Sequence, residues 1–404
     1  MVGRVLILDE NLSVPFDRRV WHQARALAAA GWDVDVICPR GRTRDRDAFE
    51  LREGVRIHRF PASPATNGML SYAREYGSAF WHMMRISRRL ARRRAFDVVH
   101  ACNPPDLLLL AALPLKRAGT RFIFDQHDLV PELYLSRFGR GADAVYYLTR
   151  AFERLTFRLA DVVIATNQSY RAIATGRGAK SPEDVFVVRN GPDLTRFHPV
   201  RPDAALKDGK PHLLAYLGTM GPQDGIDYAL RALASLRQRR DDWRAVFVGG
   251  GDVLEEMKRE MAMAGLADVV EFTGRISDED VLRVLSTADV CLAPDPKSPL
   301  NDVSTMTKIM EYMAMGKPIV SYDLRESRVS AGDAAVYASA NDEEAFASCI
   351  DSLLDDPERR ERMGDIGRSR VQTSLSWQES ERTLLAAYER AVSRNGAGHE
   401  GPVG

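Results

Sequence analysis

Short apolar runs alternate with helix-like segments along most of this chain, and that alternation limits its possible folds more than any other feature. Residues 5–8 form such a run, residues 20–30 have helical apolar spacing, and residues 34–38 form the next run. A buried strand, a helix and a second buried strand make a βαβ unit, whose two strands are parallel. Because such units recur, we predict an α/β fold built from Rossmann-like sheets.

The length of the chain, 404 residues, exceeds what one hydrophobic core usually organises, so two domains are expected. Residues 189–199 contain Asn-Gly and two prolines, which are turn formers, and they predict the crossing point between the domains. The predicted divisions are an N-terminal domain at 1–192, a C-terminal domain at 193–374, a helix at 375–395 and a flexible tail at 396–404.

Hydrophobic residues make up 45% of the chain and charged residues 28%, which is typical of soluble globular proteins. The longest apolar run, residues 107–115, is interrupted by Pro114 and is far shorter than a membrane-spanning helix. Residues 1–4 lead directly into the first apolar run, so no signal peptide is expected. The cysteines have neither metal-ligand nor redox spacing, and we expect a reducing, cytoplasmic location. They are Cys38, Cys102, Cys291 and Cys349.

The net charge of zero conceals an uneven distribution along the chain. Residues 1–200 contain 31 Lys and Arg against 21 Asp and Glu, whereas residues 201–404 contain 25 against 35. Halves of opposite sign predict that the first half meets an anionic partner.

A basic helix is predicted in that first half, over residues 70–94. Its aromatic residues include Trp81, and its last turns carry Arg85, Arg88, Arg89, Arg92, Arg93 and Arg94. A basic amphipathic helix suits an anionic membrane surface, so residues 81–94 predict peripheral attachment to the inner face of the plasma membrane. The alternative is a solvated helix whose basic end complements its own dipole. No recognition motif accompanies the arginines, so nucleic acid is not an expected partner.

Residues 301–321 have the pattern of a loop, a helix, a glycine stop and a strand. In the loop, Asp302, Ser304 or Thr305 can cap the helix, because short side-chain oxygens accept hydrogen bonds from first-turn amides. The helix is predicted over residues 306–315, where apolar residues recur at helical spacing. A helix amino end edged by hydroxyl groups favours anions, because the amides and the helix dipole point at one spot.

A similar site is predicted after the strand at residues 213–217. A turn from Gly218 to Gly225 follows that strand and leads into a helix at residues 226–238. Strand, glycine turn and helix together form an arrangement that is typical of phosphate binding.

A histidine, His127, is predicted at the carboxyl end of a strand in the first half. The strand covers residues 121–125, and Asp128 follows His127 directly. Ligands of open α/β sheets bind at that edge, and a neighbouring carboxylate can fix the orientation and tautomer of a histidine. A loop histidine is usually only polar surface, but the strand-end position favours a functional role for His127.

Glu311 begins the string Glu-Tyr-Met-Ala-Met-Gly-Lys-Pro-Ile-Val, which resembles half of the nucleotide-sugar-binding string of retaining glycosyltransferases of family 4. The resemblance spans nearly the whole chain. It implies the GT-B fold, two Rossmann-like domains facing across a cleft, with a C-terminal helix that returns to the N-terminal domain. It also implies that Glu311 binds the ribose hydroxyls. Val303 occupies the position of the first family glutamate, whose sugar-binding role therefore does not transfer. The residues implied to hold the donor diphosphate here are Ser304, Thr305 and Met306.

The glycine turn departs further from the family. Thr219 stands where the family has an arginine, and Asp224 where it has a lysine, although those cations neutralise the departing diphosphate. An anionic Asp224 near a diphosphate is repulsive unless a cation offsets it, and Lys308 and Arg275 are the candidates. The donor-site residues implied in this region are Gly218, Thr219, Asp224, Gly225, Arg275 and Ile276, the last two at the place where the family reads the nucleotide base.

Two further segments, residues 13–20 and 322–328, resemble a branch of the family whose members often build lipopolysaccharide, capsule or exopolysaccharide. The resemblance makes the N-terminal domain the acceptor domain and the C-terminal domain the donor domain. It makes His127-Asp128 similar to the family's histidine near the transferred sugar. The residues that it suggests for acceptor or interdomain contacts are Asp17, Arg19 and Asn190.

The function implied is retaining transfer of a sugar from a nucleoside diphosphate, UDP or GDP, to a hydroxyl of a lipid-linked or other saccharide. The catalytic candidates are His127, Asp128 and Lys308. The nucleotide sugar is a co-substrate, and neither a cofactor nor a metal is expected. Asp33 and Asp35 resemble the metal-binding pair of another transferase fold, but alternation along a strand explains them. The alternatives are a GT-B nucleotide-sugar epimerase, for which no acid/base set is evident, and a non-catalytic GT-B partner subunit, which the missing cations would suit.

Overall fold

The computed structural model describes residues 2–41, 45–62, 69–138 and 142–393, without the side chains of residues 69–73 and 137–138. The predicted tail at 396–404 lies outside these ranges. The chain groups into two compact units. The first lies within Met1–Leu135, Arg140–Arg189 and Ser380–Gly404, and the second within Ser136–Gly139 and Asn190–Glu379.

An eight-stranded sheet forms the centre of the first unit, as far as the structure describes it. Its strands are β1 (Arg4–Asp9), β2 (Asp33–Pro39), β3 (Phe49–Arg52), β4 (Val55–Phe60), β5 (Val98–Cys102), β6 (Arg121–Gln126), β7 (Val162–Ala165) and β8 (Val185–Val187). The helices between them are α1 (Arg18–Ala29), α2 (Met69–Arg93), α3 (Leu109–Arg117), α4 (Val130–Phe138), α5 (Ala144–Leu159) and α6 (Gln168–Thr175). The strand order is β3-β4-β2-β1-β5-β6-β7-β8, and the β3–β4 pair is antiparallel while the other pairs are parallel.

The direction in which the chain adds strands to this sheet reverses between β1 and β5. Every residue of β1 is buried, as expected for a parallel strand near the middle of a covered sheet. The register places Asp9, Cys102 and Asp125 side by side at the carboxyl ends of β1, β5 and β6. In open α/β sheets this edge, beside the reversal, is where ligands bind.

The C-terminal helix α14 (Trp377–Ser393) packs on the first unit from Ser380 onward. The hydroxyl of Tyr388 lies 2.7 Å from Nδ1 of His100, and the Tyr388 ring meets Trp32 edge to face at 5.1 Å. Arg390 donates to Asp184 over 3.0 Å. The predicted return of this helix to the N-terminal part of the chain is therefore confirmed.

A parallel six-stranded sheet forms the centre of the second unit. Its strands are β9 (His212–Leu217), β10 (Trp243–Val248), β11 (Val270–Gly274), β12 (Val290–Ala293), β13 (Ile319–Tyr322) and β14 (Ala335–Ala338). Its helices are α7 (Ile226–Arg237), α8 (Leu254–Met263), α9 (Asp278–Thr287), α10 (Thr307–Ala314), α11 (Arg325–Ala331), α12 (Glu343–Leu354) and α13 (Pro357–Gln372). The strand order is β11-β10-β9-β12-β13-β14, so the reversal falls between β9 and β12.

Both faces of this second sheet are covered by apolar side chains, as β9 illustrates. Leu214 and Tyr216 belong to one buried cluster, whereas Leu213 and Ala215 belong to the cluster on the opposite face. Successive residues of a strand point to opposite faces, so a strand covered on both sides is apolar at nearly every position. This explains the continuous apolar run in the sequence and confirms the predicted α/β class with Rossmann-like sheets. Within the described ranges, no helix combines the length and the apolar character that crossing a membrane requires.

Candidate functional site

The loops that follow β9 and β12 meet at the reversal of the second sheet. The backbone at Gly225 has φ +69°, and a Cβ atom there would overlap the carbonyl oxygen of Pro294. The side-chain amide of Asn301 donates to the carbonyl oxygens of Gln223 (2.9 Å) and Pro296 (2.8 Å). The two loops are thus held together by the Asn301 side chain, and the glycine is required by their close approach.

Backbone hydrogen bonds also join the glycine turn to the loops after β10 and β11. The amide of Gly218 donates to Val248 (3.0 Å), and the amide of Gly249 donates to Gly274 (2.9 Å). At Gly249 a Cβ atom would overlap the carbonyl oxygen of Gly218. Close packing against the glycine turn therefore explains the glycines after β10. These glycines in turn help to hold the glycine turn in place.

The amino end of α10 lies at the end of the β12 loop. Its N-cap residue is Met306, whose side chain makes no capping hydrogen bond. The predicted N-cap at Asp302, Ser304 or Thr305 is therefore wrong, and two of these side chains have other partners. The Ser304 hydroxyl donates to the carbonyl of Leu300 (2.8 Å), and the Asp302 carboxylate accepts from the amide of Arg325 at the start of α11 (3.0 Å). The amide of Ile309 donates to the carbonyl of Met306 (3.1 Å), and the N-cap residue brings no side-chain anion to the positive end of the helix dipole.

Glu311 lies on α10, about one turn in, and is half-buried between buried neighbours. One of these, Tyr312, fixes the helix, because its hydroxyl accepts from the amide of Leu217 (2.8 Å) and donates to the carbonyl of Leu292 (3.0 Å). These bonds tie α10 to the ends of β9 and β12. The helix that carries Glu311 is therefore anchored to both strands that border the reversal.

Lys308, also on α10, is buried in a charged cluster beneath the glycine turn. Its Nζ lies 2.7 Å from an Asp295 oxygen, 3.9 Å from an Asp224 oxygen and 4.9 Å from the centre of the Tyr216 ring. Burial alone would lower the pKa of Lys308, but Asp295, Tyr216 and Asp224 together raise it above its ordinary value. The structure thus places Lys308, one of the two candidate cations, close to the carboxylate of Asp224. No sequence pattern indicates Asp295, which lies in the loop after β12 and reaches Lys308 only when that loop folds.

The remaining donor-site candidates of the second unit border the glycine turn. Thr219 is exposed, and its carbonyl accepts from the Tyr216 hydroxyl (2.7 Å). Asp224 accepts from the amide of Gly221 (2.8 Å), so its carboxylate closes the turn. Arg275 is exposed beside the glycine loop after β10, and Ile276 packs half-buried against the core. Their roles toward a nucleotide stay predictions.

At the carboxyl end of β6 in the first unit, His127 is held by Asp125. Nε2 of His127 lies 2.8 Å from an Asp125 oxygen, and the ring is 16% exposed. Asp128, the expected partner, instead makes backbone hydrogen bonds with the Asn103 side chain (2.8 and 3.1 Å). The strand period of two would have identified Asp125, because residues two apart point to the same side.

Asp125 is the centre of a buried network. Arg19 donates to both of its oxygens (2.7 and 3.2 Å), and Gln23 donates to one (2.8 Å). Burial would raise the pKa of Asp125, but Arg19, His127 and His100 hold it well below its ordinary value. The carboxylate therefore stays ionised and accepts hydrogen bonds from all sides.

Two of the three acceptor or interdomain candidates have structural explanations of their own. Asp17 caps α1 by accepting from the amide of Val20 (2.9 Å). Arg19 is buried and also donates to the carbonyl of Val188 (2.8 Å). Asn190 is half-buried where the second unit begins. These contacts explain Asp17 and Arg19 without a ligand, and the acceptor assignment stays a prediction.

One group of side chains in the first unit has metal-ligand chemistry. Ligand atoms of His100, Cys102 and Asp125 lie within 4.8 Å of one another. The group does not suit a cation, because the Arg19 guanidinium already neutralises Asp125, and burial raises the pKa of the Cys102 thiol. Asp35, in the pair suggestive of another transferase fold, is ion-paired with arginines. The expectation that no metal is needed stays a prediction.

Comparison with known proteins gives the family. A model of the glycosyl transferase 4-like domain matches residues 17–191, and a model of the glycosyl transferases group 1 matches residues 211–356. The chain is a GT-B glycosyltransferase of the family 4 type. A curated relative, the MMP alpha-(1->4)-mannosyltransferase of Mycolicibacterium hassiacum, is 28% identical over 93% of this chain and 94% of its own length. Membership in this family identifies the chain as an enzyme that transfers glycosyl groups.

Solved structures support the same fold for this glycosyltransferase. The sucrose-phosphate synthase of Thermosynechococcus elongatus superposes with a TM-score of 0.80 over 97% of this chain and 100% of its own, at 21% identity. HepE of Anabaena, solved in complex with UDP-glucose, gives a TM-score of 0.72 over 96% and 99% at 15% identity. At these identities the likeness establishes the fold alone, and the predicted GT-B architecture is confirmed.

Proposed function

We propose that this glycosyltransferase moves a sugar from a nucleoside diphosphate to a saccharide hydroxyl and retains the anomeric configuration. The observation that carries the proposal is the edge of the second sheet at its reversal. There the amino end of α10, a glycine turn held by backbone hydrogen bonds and a half-buried Glu311 lie on adjoining elements. The amides at a helix amino end and the helix dipole suit a diphosphate, and a nearby carboxylate suits the two ribose hydroxyls.

In this proposal the nucleotide lies along the carboxyl ends of β9–β12. The phosphates meet the first-turn amides of α10 and the turn from Gly218 to Gly225, and the ribose meets Glu311. The base lies toward Arg275 and Ile276, whose loop follows β11. A relative solved with UDP-glucose, HepE, shares the fold and supports a nucleotide sugar as the donor class.

Catalysis would be largely electrostatic. Charge grows on the leaving diphosphate in the transition state, and prearranged amides stabilise it without reorganising. Asp224 would otherwise repel that charge, but it is occupied by the Gly221 amide and lies 3.9 Å from Lys308. His127, whose Nε2 is bound to Asp125, would use Nδ1 toward the transferred sugar. This scheme needs neither a metal nor a cofactor.

The acceptor we propose is a lipid-linked saccharide, reached at an anionic membrane surface through α2. The exposed face of that helix carries Arg74, Trp81, Arg85, Arg88 and Arg92, which are aligned by helical spacing. Trp81 is 55% exposed, and the Arg85 guanidinium lies 5.4 Å from its ring centre. Exposed tryptophan with several arginines is typical of peripheral helices at anionic lipid surfaces.

The nucleotide site is tested by adding UDP, GDP and ADP separately to the full chain and recording thermal stability and affinity. One of them should raise the melting temperature. Glu311→Gln should weaken that nucleotide by about tenfold to a hundredfold, because hydrogen bonds to a charged group are lost. The control is Glu256→Gln, an exposed glutamate on α8, which should leave the affinity unchanged. Equal affinity of the Glu311 variant and the wild type would refute the ribose assignment.

The membrane contact is tested by sedimentation with vesicles of phosphatidylglycerol and phosphatidylcholine, against phosphatidylcholine alone. Replacing Arg85 and Arg88 by Gln should weaken binding to the anionic vesicles by about tenfold to thirtyfold, since each basic residue contributes about 1 kcal/mol. Replacing the exposed Arg259 and Arg362 of the second unit is the matched control. If both pairs have the same effect, α2 is only a solvated basic helix.

A further inference from the structure

Tyr388, on the C-terminal helix, reaches a histidine in the middle of the first sheet. Tyr388 and His100 are both fully buried, and the tyrosine hydroxyl lies 2.7 Å from Nδ1 of the imidazole. His100 is on β5, and Tyr388 lies 288 positions later in the chain. Nothing in the family resemblance or the sequence pattern pointed to either residue.

The protons of this contact can be assigned from burial. Burial raises the pKa of the Tyr388 hydroxyl well above its ordinary value, so the hydroxyl remains protonated. Burial lowers the pKa of His100, so the imidazole is neutral and has a single N–H. The arrangement that satisfies both groups has the hydroxyl donating to Nδ1, which leaves the N–H of His100 on Nε2.

Nε2 of His100 points toward Asp125. The distance from that nitrogen to an Asp125 oxygen is 3.3 Å, and the same oxygen lies 2.8 Å from Nε2 of His127. The geometry of that 3.3 Å approach falls short of a hydrogen bond, so it is an electrostatic contact between the imidazole and the carboxylate. Tyr388, His100, Asp125 and His127 therefore form one continuous line of contacts, with hydrogen bonds at its two ends. It runs from the last helix, through the buried sheet, to the partly exposed ring at the end of β6.

Other groups that face Asp125 support this line. Arg19, on α1, donates to both carboxylate oxygens, and Gln23, on the same helix, donates to the oxygen that His127 contacts. Cys102, beside Asp125 in the sheet, has a thiol whose pKa is raised by burial and which carries no charge. The carboxylate is thus surrounded by donors, and the free nitrogen of His127, Nδ1, has no partner among the described residues.

We propose that Asp125 is the positioning residue for His127, and that Tyr388, acting through His100, fixes Asp125 in that position. Packing of the C-terminal helix on the first unit then sets the orientation of the His127 ring. The role of that orientation in catalysis rests on the proposed function, in which Nδ1 of His127 faces the transferred sugar. The line of contacts itself does not depend on it.

The physical basis is the sensitivity of a buried carboxylate to each of its partners. Without the tyrosine hydroxyl, Nδ1 of His100 has no donor, and its N–H is free to move to Nδ1. His100 would then aim a lone pair at Asp125, which would turn toward its remaining partners. Because His127 hydrogen-bonds to the same oxygen, its ring would follow.

The spectroscopic test uses full-length protein with ¹⁵N-labelled histidine and no substrate. In the wild type, slowly exchanging Nε2–H signals should be found for His100 and His127. Tyr388→Phe should change the ¹⁵N signal of Nδ1 in His100 and also shift the Nε2–H signal of His127. Trp32→Phe, which alters the edge-on packing against Tyr388 but removes no hydrogen bond, should leave the His127 signal in place. A His127 signal that ignores Tyr388→Phe, or responds equally to Trp32→Phe, would overturn the proposal.

The kinetic test follows transfer from the nucleotide sugar selected by the affinity screen. Asp125→Asn should lower kcat by on the order of a hundredfold, as expected for a misplaced reacting group, while KM for the nucleotide sugar stays unchanged. Tyr388→Phe should lower kcat by up to about tenfold, the effect of one lost hydrogen bond. If Asp125→Asn fails to fold, the Tyr388→Phe variant alone tests the proposal. An unchanged kcat in Tyr388→Phe, or a change confined to KM, would refute the catalytic part of the proposal. If the wild type transfers no sugar, the proposed function fails, and the spectra still decide whether the line of contacts exists.

Discussion

The carboxyl-end edges of the two sheets share a topology but are built from different chemical groups. In the first unit the edge beside the reversal contains buried charged side chains that bind one another, with Asp125 at their centre. In the second unit the corresponding edge consists mainly of backbone. It contains the amino end of α10, which its N-cap side chain does not cap, and glycines that lie against the backbone of neighbouring loops. In our proposal, one edge orients a side chain, whereas the other binds an anion through its backbone.

This difference determines which substitutions each edge can tolerate. A network of side chains depends on every partner, because a buried charge that loses its partner is costly. A surface of backbone amides depends on the path of the chain and accepts many side chains, provided that close approaches are kept. Under the proposed function, this would allow the second unit to carry Thr219 and Asp224 where the family has cations.

The largest effect is expected at Lys308, the buried charge of the second edge. Lys308→Met leaves Asp295 and Asp224 without their cation and should destabilise the second unit by about 3–5 kcal/mol. It should also weaken nucleotide binding. Lys317→Met is the control, because Lys317 donates only to the carbonyls of Ser286 and Ala288 and strands no carboxylate. Denaturant unfolding checks both, and equal costs would show that the charged cluster has no special role.

The next effect is expected at Gly225. Gly225→Ala forces a methyl group against the carbonyl of Pro294 and should cost about 2–4 kcal/mol together with most of the nucleotide affinity. Gly265→Ala has the same φ of +69° and open space around the new Cβ, so it should cost only about 1–2 kcal/mol. Calorimetric titration measures the nucleotide affinity of both variants. Because both have the same backbone strain, a difference between them reports the steric overlap at Gly225. Affinity retained in Gly225→Ala would mean that the turn is not part of the site.

The smallest effect concerns pH and the first unit. Burial raises the pKa of Asp106 to about 7, so the folded chain binds a proton that the unfolded chain has released, and stability falls as pH rises from about 4 to 7. Asp125 has a lowered pKa, and its contribution is complete above pH about 4 and is lost only below it. Between pH 5 and 8, Asp106→Asn should therefore remove a decline of about 2–3 kcal/mol. Asp125→Asn should lower stability evenly across that range. A melting-temperature difference between Asp106→Asn and the wild type that stays constant from pH 5 to 8 would contradict this prediction.

Features encoded by neighbouring residues could be predicted from the sequence. The α/β class, the helix that carries Glu311 and the glycine turn all follow from local periodicity and from turn residues. The partners of His127 could not be predicted in the same way, because Arg19 and Tyr388 come from distant parts of the chain. The caps of α10 were wrongly predicted because Ser304 and Asp302 have competing partners that only the folded loop provides. Asp295, which holds Lys308, belongs to no pattern at all.

The most direct test of the account is a crystal structure of the protein with the nucleoside diphosphate that the thermal screen selects. The account predicts phosphate oxygens within hydrogen-bonding distance of the first-turn amides of α10, and ribose hydroxyls on the carboxylate of Glu311. A nucleotide bound elsewhere, or a Glu311 side chain turned away from the ribose, would contradict it.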